Sequence, residues 1–265
     1  MIQALRDVNS NWAGGSIPRL MASRDEADGI VAVIATADNL KAVDFEANKQ
    51  RVMGANLSQY RLLHFATHGV LDNKNPELSG LVLSRIDENG RPEDAFLRLD
   101  DIYNLKLNSD LVVLSACNSG LGKDVRGEGI IGLVHGFMYA GTSRVVASLW
   151  KVDDDATAAL MVNFYKEMFR SKQSPAAALR TAQLAMWRQQ RWHAPYYWAA
   201  FVLQGDYEGT IQLQEKSSAR RWKLVVGAGI VIALIVVFLL WRRSPYHEPK
   251  SRYQQNKEKR SGAEF

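Results

Sequence analysis

The chain has 265 residues, of which 47% are hydrophobic and 23% are charged. This composition excludes a disordered polypeptide, and the seven prolines and single cysteine exclude a fibrous or disulfide-stapled protein. The net charge of +5 is uneven, since residues 216–265 carry 11 basic and 3 acidic side chains, which leaves 22 and 25 in residues 1–215. Because this larger part is mildly acidic, we expect no nucleic-acid partner.

The N-terminal 20 residues contain no apolar stretch long enough for a signal peptide. Ser23 and Glu26 have the spacing of a capping box, which predicts a helix from Ser23 to about Thr36. Strands are predicted for five short apolar runs, namely Tyr60–Thr67, Gly80–Ser84, Asp110–Ser115, Ser143–Trp150 and Trp198–Leu203.

Three longer patterns predict helices between and after these strands. The first covers Glu128–Ala140 and ends at Gly141, and the second follows the acidic start Asp153–Asp155. The third begins at Ser174 with a proline in the next position. Strands and helices in alternation predict an α/β fold with a mostly parallel sheet flanked by helices.

Two polar residues follow apolar strands at the carboxyl ends where α/β proteins collect their functional groups. His68 follows the first strand and precedes Gly69, and Cys117 follows the third. If these strands are neighbours, about 5 Å separates them, and a thiol beside an imidazole forms a nucleophile and its base. The alternatives are a cysteine that only fills the core and a histidine with a structural partner.

Metal and cofactor chemistry are not expected. His64 and His68 are four residues apart, but HFATH lacks the glutamate of HExxH and no third ligand is evident. The carboxylates of Asp153–Asp155 are more typical of a helix start than of a divalent cation site.

The C-terminal part predicts a single-pass membrane anchor. Leu224–Trp241 is an uncharged run of 18 residues, which as a helix would span roughly 27 Å, close to the thickness of a bilayer core. Basic residues and a tryptophan lie at each end of this run. We therefore divide the chain into a globular domain (1–215), a basic juxtamembrane linker (216–223), a transmembrane helix (224–241) and a basic polar tail (242–265).

Two arguments about the side of the membrane disagree. The lack of a signal peptide and the unpaired cysteine favour a cytosolic globular domain. Four basic residues before the apolar run and seven after it instead favour a cytoplasmic tail. We expect a cytosolic domain, because the second arrangement needs an export signal upstream.

Four blocks of the sequence, in this order, resemble the CHAT domain: HFATHGVLD, LVVLSACNSGLG, GEGIIGLVHGFMYAGTSRVVASLWKVDDDAT and PYYWAAFVLQGD. The CHAT family is grouped with caspases, separases and gingipains among the caspase-like cysteine peptidases. The resemblance covers about Arg19–Gly205. The 49 residues from His68 to Cys117 also match the histidine-to-cysteine spacing of caspases.

The resemblance implies a caspase-like cysteine endopeptidase that uses no metal and no cofactor. His68 would be the catalytic base and Cys117 the nucleophile, while the backbone N–H groups of Gly69 and Cys117 would form the oxyanion hole. By position, a substrate bound as an added strand would lie along Ala147–Trp150 and the loop that follows. Asp153 and Asp154 in that loop are a hypothetical pocket, with Trp150, for a basic or polar residue before the cleaved bond, although helix capping is an equally good role for them.

The resemblance is incomplete before the His68 block, where CHAT domains carry further sheet material and many are joined to helical repeats. We therefore expect a protein or peptide substrate, the lipid bilayer and a regulatory partner such as a helical-repeat module. The alternative is a latent or non-catalytic CHAT module that acts as a membrane-tethered scaffold. An acyl-transfer enzyme that uses the same pair on a small molecule is a more distant alternative.

Overall fold

The computed structural model of the chain describes residues 19–34, 39–71, 79–115, 117–118, 128–213 and 235. The chain divides into two compact units, Met1–Glu215 and Lys216–Phe265. Within the described ranges, no helix has the length and apolar character needed to cross a membrane. The predicted linker, transmembrane helix and tail lie outside the described residues, apart from Ile235, and stay predictions.

The described part of the first unit contains eight strands and six α-helices. The strands are β1 (Leu62–Phe65), β2 (His68–Val70), β3 (Gly80–Val82), β4 (Phe96–Arg98), β5 (Leu111–Leu114), β6 (Cys117–Asn118), β7 (Arg144–Ser148) and β8 (Phe201–Gly205). The helices are α1 (Ser23–Val33), α2 (Lys49–Gly54), α3 (Leu99–Tyr103), α4 (Glu128–Tyr139), α5 (Asp154–Phe169) and α6 (Pro175–Trp187). Short 3₁₀ helices cover Asp44–Glu46, Leu57–Gln59, Gln190–Trp192 and Pro195–Tyr197.

The larger sheet has the strand order β1-β5-β7-β8. Strands β1, β5 and β7 are parallel, and β8 is antiparallel to β7. The central strands β5 and β7 are buried along their whole length, as their apolar runs LVVL and VVA predict. The prediction of an α/β fold with a mostly parallel sheet is therefore confirmed.

Helices cover both faces of this sheet. Successive side chains of a strand point to opposite faces, so each strand contributes to both core layers. Leu62, Leu111 and Val113 pack with α1, α5 and α6 in one core layer. Leu63 and Val112 pack with α3 and α4 in the other. The sheet is thus the middle of three layers.

A second sheet, with the order β4-β3-β2-β6, was not predicted. The run Gly80–Ser84 predicts its strand β3, but the other three strands are two or three residues long, too short for a period-two pattern to be recognised. Strand β2 pairs antiparallel with β3 and parallel with β6. Because β2 follows β1 after two residues, and β6 follows β5 after two, the same two segments of chain belong to both sheets.

The helix boundaries confirm most of the capping predictions and contradict one. Ser174 caps α6 by accepting a hydrogen bond from the Ala177 N–H, as the Ser-Pro signal predicts. The capping box of Ser23 and Glu26 is wrong, because α1 begins without a side-chain cap and Glu26 is buried. The carboxylate of Glu26 bonds to a strand residue instead of to its own helix terminus.

Gly141 ends α4 as predicted, and it has a positive φ of 114°. A Cβ atom at this position would lie 2.3 Å from the backbone oxygen of Leu107. Gly90 also has a positive φ, of 77°, but a Cβ atom there would have nothing within 4 Å. Substitution at Gly90 therefore tests backbone strain alone, whereas substitution at Gly141 tests backbone strain together with steric overlap.

We expect Gly141→Ala to lower the free energy of unfolding by about 2–4 kcal/mol, because it combines left-handed strain with overpacking. Gly90→Ala should lower it by about 1 kcal/mol, through backbone strain alone. Urea unfolding followed by circular dichroism measures both values. Equal effects would show that the contact with Leu107 relaxes at no cost.

Candidate active site

His68 and Cys117 are direct partners in neighbouring parallel strands. Strands β1 and β5 pair in parallel from Leu62↔Leu111 to Phe65↔Leu114. The pairing between β2 and β6 continues this register with His68↔Cys117 and Gly69↔Asn118. Neighbouring strands are about 4.8 Å apart, so the backbones of the two residues lie side by side at this spacing.

Strand β2 is held from both sides at this point. His68 pairs with Val82 of β3 on one side and with Cys117 of β6 on the other. The Thr67 hydroxyl donates a hydrogen bond to the backbone oxygen of Val82 and fixes the residue before His68. The candidate pair therefore lies inside a small sheet rather than on a loose loop.

The structure gives the proposed pocket residues partners within the fold. Asp153 is the N-cap of α5, where its carboxylate accepts a hydrogen bond from the Ala156 N–H at 2.9 Å. The Asp154 carboxylate accepts one from the Ala22 N–H at 2.8 Å. Trp150 is 37% exposed, and its indole N–H donates to the backbone oxygen of Tyr196. Helix capping is thus a role that Asp153 performs, and its part in a pocket stays a prediction.

Sequence reasoning missed a polar cluster that residues of α1, β1 and α5 form around His64. His64 Nε2 lies 2.9 Å from Glu26 Oε1, and its Nδ1 lies 3.2 Å from the Tyr165 hydroxyl. Glu26 and Tyr165 are each 1% exposed. The sequence pattern places Glu26 in a capping box and His64 in an incomplete zinc motif, and neither assignment points to this cluster. Within the described residues, no three metal-ligating side chains come together.

Comparison with known proteins identifies the family of the chain. The profile of the CHAT domain matches residues 4–206. The chain belongs to the CHAT domain family. Tetratricopeptide repeat protein 28 of Mus musculus and its counterpart in Homo sapiens are both 27% identical to the chain over 233 residues. These matches cover 75% of this chain but 9% of each relative, so the chain spans about a tenth of the length of the relatives it matches.

The first residue of α5 in this CHAT domain, Asp154, carries a negative charge that is unfavourable in the folded protein. Burial raises the pKa of the Asp154 carboxyl, and the negative charge of Glu26 raises it further. The hydrogen bond from the Ala22 N–H acts in the opposite direction without cancelling these effects. A carboxyl with a raised pKa in the folded state binds its proton more tightly there than in the unfolded chain, so its ionisation opposes folding as the pH rises.

We therefore expect Asp154→Asn to be more stable than the wild-type protein at pH 7. Asparagine keeps an oxygen that can accept the Ala22 N–H bond and carries no charge. The advantage should shrink as the pH falls through the pKa of Asp154, because the wild-type carboxyl then becomes neutral too. Urea unfolding of both proteins at pH 4 and pH 7 measures this difference, and an advantage that does not change with pH would contradict it.

Proposed function

We propose that the protein is a membrane-anchored, caspase-like cysteine endopeptidase in which Cys117 and His68 form a catalytic pair. The observation that supports this most directly is the register of β2 and β6, which pairs these two residues. The CHAT family relationship supports the same chemistry.

In this proposal the His68 imidazole accepts the proton of the Cys117 thiol. The thiolate attacks the carbonyl carbon of the scissile peptide, and the backbone N–H groups of Gly69 and Cys117 stabilise the oxyanion. The C–N bond then breaks as His68 donates its proton to the leaving amine. Water, deprotonated by the same imidazole, hydrolyses the thioester and restores the thiol. No cofactor takes part.

The substrate would bind as an extended strand near the carboxyl end of β7. The register of β5 with β7 pairs Leu114 with Ala147, three residues before Trp150. The same three-residue step, taken beyond the end of β5, leads to Cys117. This matching spacing supports a role for Trp150 beside the scissile bond. Asp153 and Asp154 would favour a basic or polar residue before that bond. Their carboxylates would do so while accepting the hydrogen bonds that they already accept within the fold.

The single cysteine makes the proposed pair measurable without a known substrate. Iodoacetamide reacts with thiolates, and any alkylated cysteine in this chain is Cys117. We expect wild-type protein to be alkylated rapidly even at pH 6.5, where an ordinary thiol with a pKa near 8.5 is about 1% ionised. His68→Ala should slow alkylation at pH 6.5 by roughly 10- to 100-fold and move the midpoint of the pH profile toward that of a free thiol.

The control is alkylation of the unfolded protein in urea, which should have an ordinary thiol profile. If folded wild-type protein has that same profile, the thiol is not activated and the peptidase proposal fails. Intact-protein mass spectrometry provides both rates.

Incubation with a proteome-derived peptide library then tests cleavage and specificity. Cys117→Ala and His68→Ala should each lower cleavage by at least about a thousandfold while circular dichroism shows an unchanged fold. Enrichment of basic or polar residues before the cleaved bond would support the Asp153 and Asp154 pocket. Equal or better cleavage after acidic residues would rule it out.

The second candidate function is a non-catalytic scaffold. It is favoured by the relatives named for tetratricopeptide repeats, in which the matching region is only 9% of the chain. A helical-repeat module is accordingly our proposed regulatory partner. If both variants leave the protein's biological output unchanged, the scaffold is correct and the thiol is dispensable.

The membrane anchor is proposed from Leu224–Trp241 and its basic and tryptophan flanks. We expect the protein to stay in the membrane fraction after alkaline carbonate extraction, because an apolar helix of this length resists removal. A C-terminal epitope tag should be digested by protease added to intact cells if the CHAT domain is cytosolic. A protected tag that becomes digestible only after permeabilisation would place the tail inside.

A further inference from the structure

The proposed catalytic step leaves one buried polar cluster unused, formed by Glu26, His64 and Tyr165. The three residues come from three elements, α1, β1 and α5. The side chains of Glu26 and His64 are 2% and 14% exposed. A buried carboxylate is costly unless it is paired, so a cluster of this kind persists only where its geometry is well defined.

The hydrogen bonds of this cluster connect Tyr165 to His64 and His64 to Glu26. Burial, and then the nearby charge of Glu26, raise the pKa of Tyr165. Its hydroxyl therefore keeps its proton, and we assign this hydroxyl as the hydrogen-bond donor to His64 Nδ1, 3.2 Å away. The ring proton then lies on Nε2, which donates to the Glu26 carboxylate at 2.9 Å. In this arrangement each proton has an acceptor.

This cluster of hydrogen bonds anchors a strand that has little support within its own sheet. Strand β1 is an edge of the larger sheet, since β5 is the only strand that pairs with it among the described residues. Helix α1 packs close to α5, because Gly29 has no Cβ atom, which would lie 2.5 Å from a Val162 methyl group. Glu26 and Tyr165 thus reach His64 from two helices that are packed against each other.

The position of His64 along the strand connects this anchor to the candidate site. His68 lies four positions further along the chain, and only two residues separate the end of β1 from the start of β2. A slip of β1 by one residue would turn His64 to the opposite face and leave the Glu26 carboxylate buried without its partner. The slip would also break the pairing of His68 with Cys117, because both strand pairs share one register.

We propose that Glu26, His64 and Tyr165 are positioning residues that hold β1 in the register at which His68 meets Cys117. This inference rests on the proposed function and identifies how the fold sets the geometry of its active pair. These residues touch neither the substrate nor the reacting atoms. Their loss should impair activation of the thiol and turnover more than substrate binding.

Two substitutions each remove part of this hydrogen-bonded cluster with little change in side-chain volume. Tyr165→Phe deletes one hydroxyl and keeps the ring that packs against Phe164 and Phe169. Glu26→Gln removes the charge and keeps the shape. Asp154 also carries a charge near Glu26, and its substitution is kept out of this test.

The matched control is Asp206→Asn. Asp206 pairs with Arg144, whose side chain is 8% exposed, at the amino end of β7 and away from the carboxyl end where the candidate pair lies. This variant also weakens an ion pair with a buried partner, but it does not touch β1.

The experiment measures the pH profile of Cys117 alkylation in the full-length chain, together with kcat and KM for a peptide from the library. We expect Tyr165→Phe and Glu26→Gln to lower the alkylation rate at pH 6.5 by about 3- to 10-fold and to raise the midpoint of the profile. The value of kcat should fall by a similar factor while KM changes less than about twofold. Asp206→Asn should behave as the wild type in all three measurements.

The outcomes separate this inference from the proposed function. If both folded variants keep the wild-type alkylation profile, the positioning role is wrong even though the active pair stands. If Asp206→Asn shifts the profile as much, general destabilisation is the cause and the inference is again overturned. If the wild-type protein itself shows an ordinary thiol, the proposed function fails, and the positioning role fails with it.

Discussion

The parallel register between residues 62–69 and 111–118 is the constraint on which the candidate site depends. It runs through two sheets without a shift, from Leu62 opposite Leu111 to Gly69 opposite Asn118. Hydrogen bonding along neighbouring strands fixes the distance between paired residues far better than a loop would. A histidine and a cysteine placed as strand partners are therefore brought together by the sheet itself, as long as its register is held.

The rest of the fold supports that register from both faces. On one face, α4 and the short α3 bury Leu63 and Val112, and on the other, α1 and α5 enclose the polar contacts of His64. The apolar layer contributes stability without direction, whereas the hydrogen bonds specify one arrangement. A strand held by apolar packing and by hydrogen bonds together is difficult to displace, and one register of that strand is strongly favoured.

The start of α5 shows how the same residues can serve structure before they serve recognition. Asp153 caps the helix and Asp154 binds the backbone of α1. Their charges lie beside the loop that follows β7, where a substrate would pass in the proposed peptidase. Any influence on specificity would be added to carboxylates that the fold already uses, which explains why composition alone could not separate the two roles.

The amino-acid sequence by itself determined the alternation of strands and helices, the burial of β5 and β7, and the identity of the two candidate residues, because these follow from local periodicity and from polar residues at strand ends. It could not reveal the second sheet, most of whose strands are too short to carry a pattern. It also misassigned Glu26 to a helix cap, since Ser23 and Glu26 have the capping spacing and only packing shows that the carboxylate faces β1. Tertiary structure alone decided which strands are neighbours and in which register, because pairing between residues 49 positions apart depends on how the whole chain closes around its core.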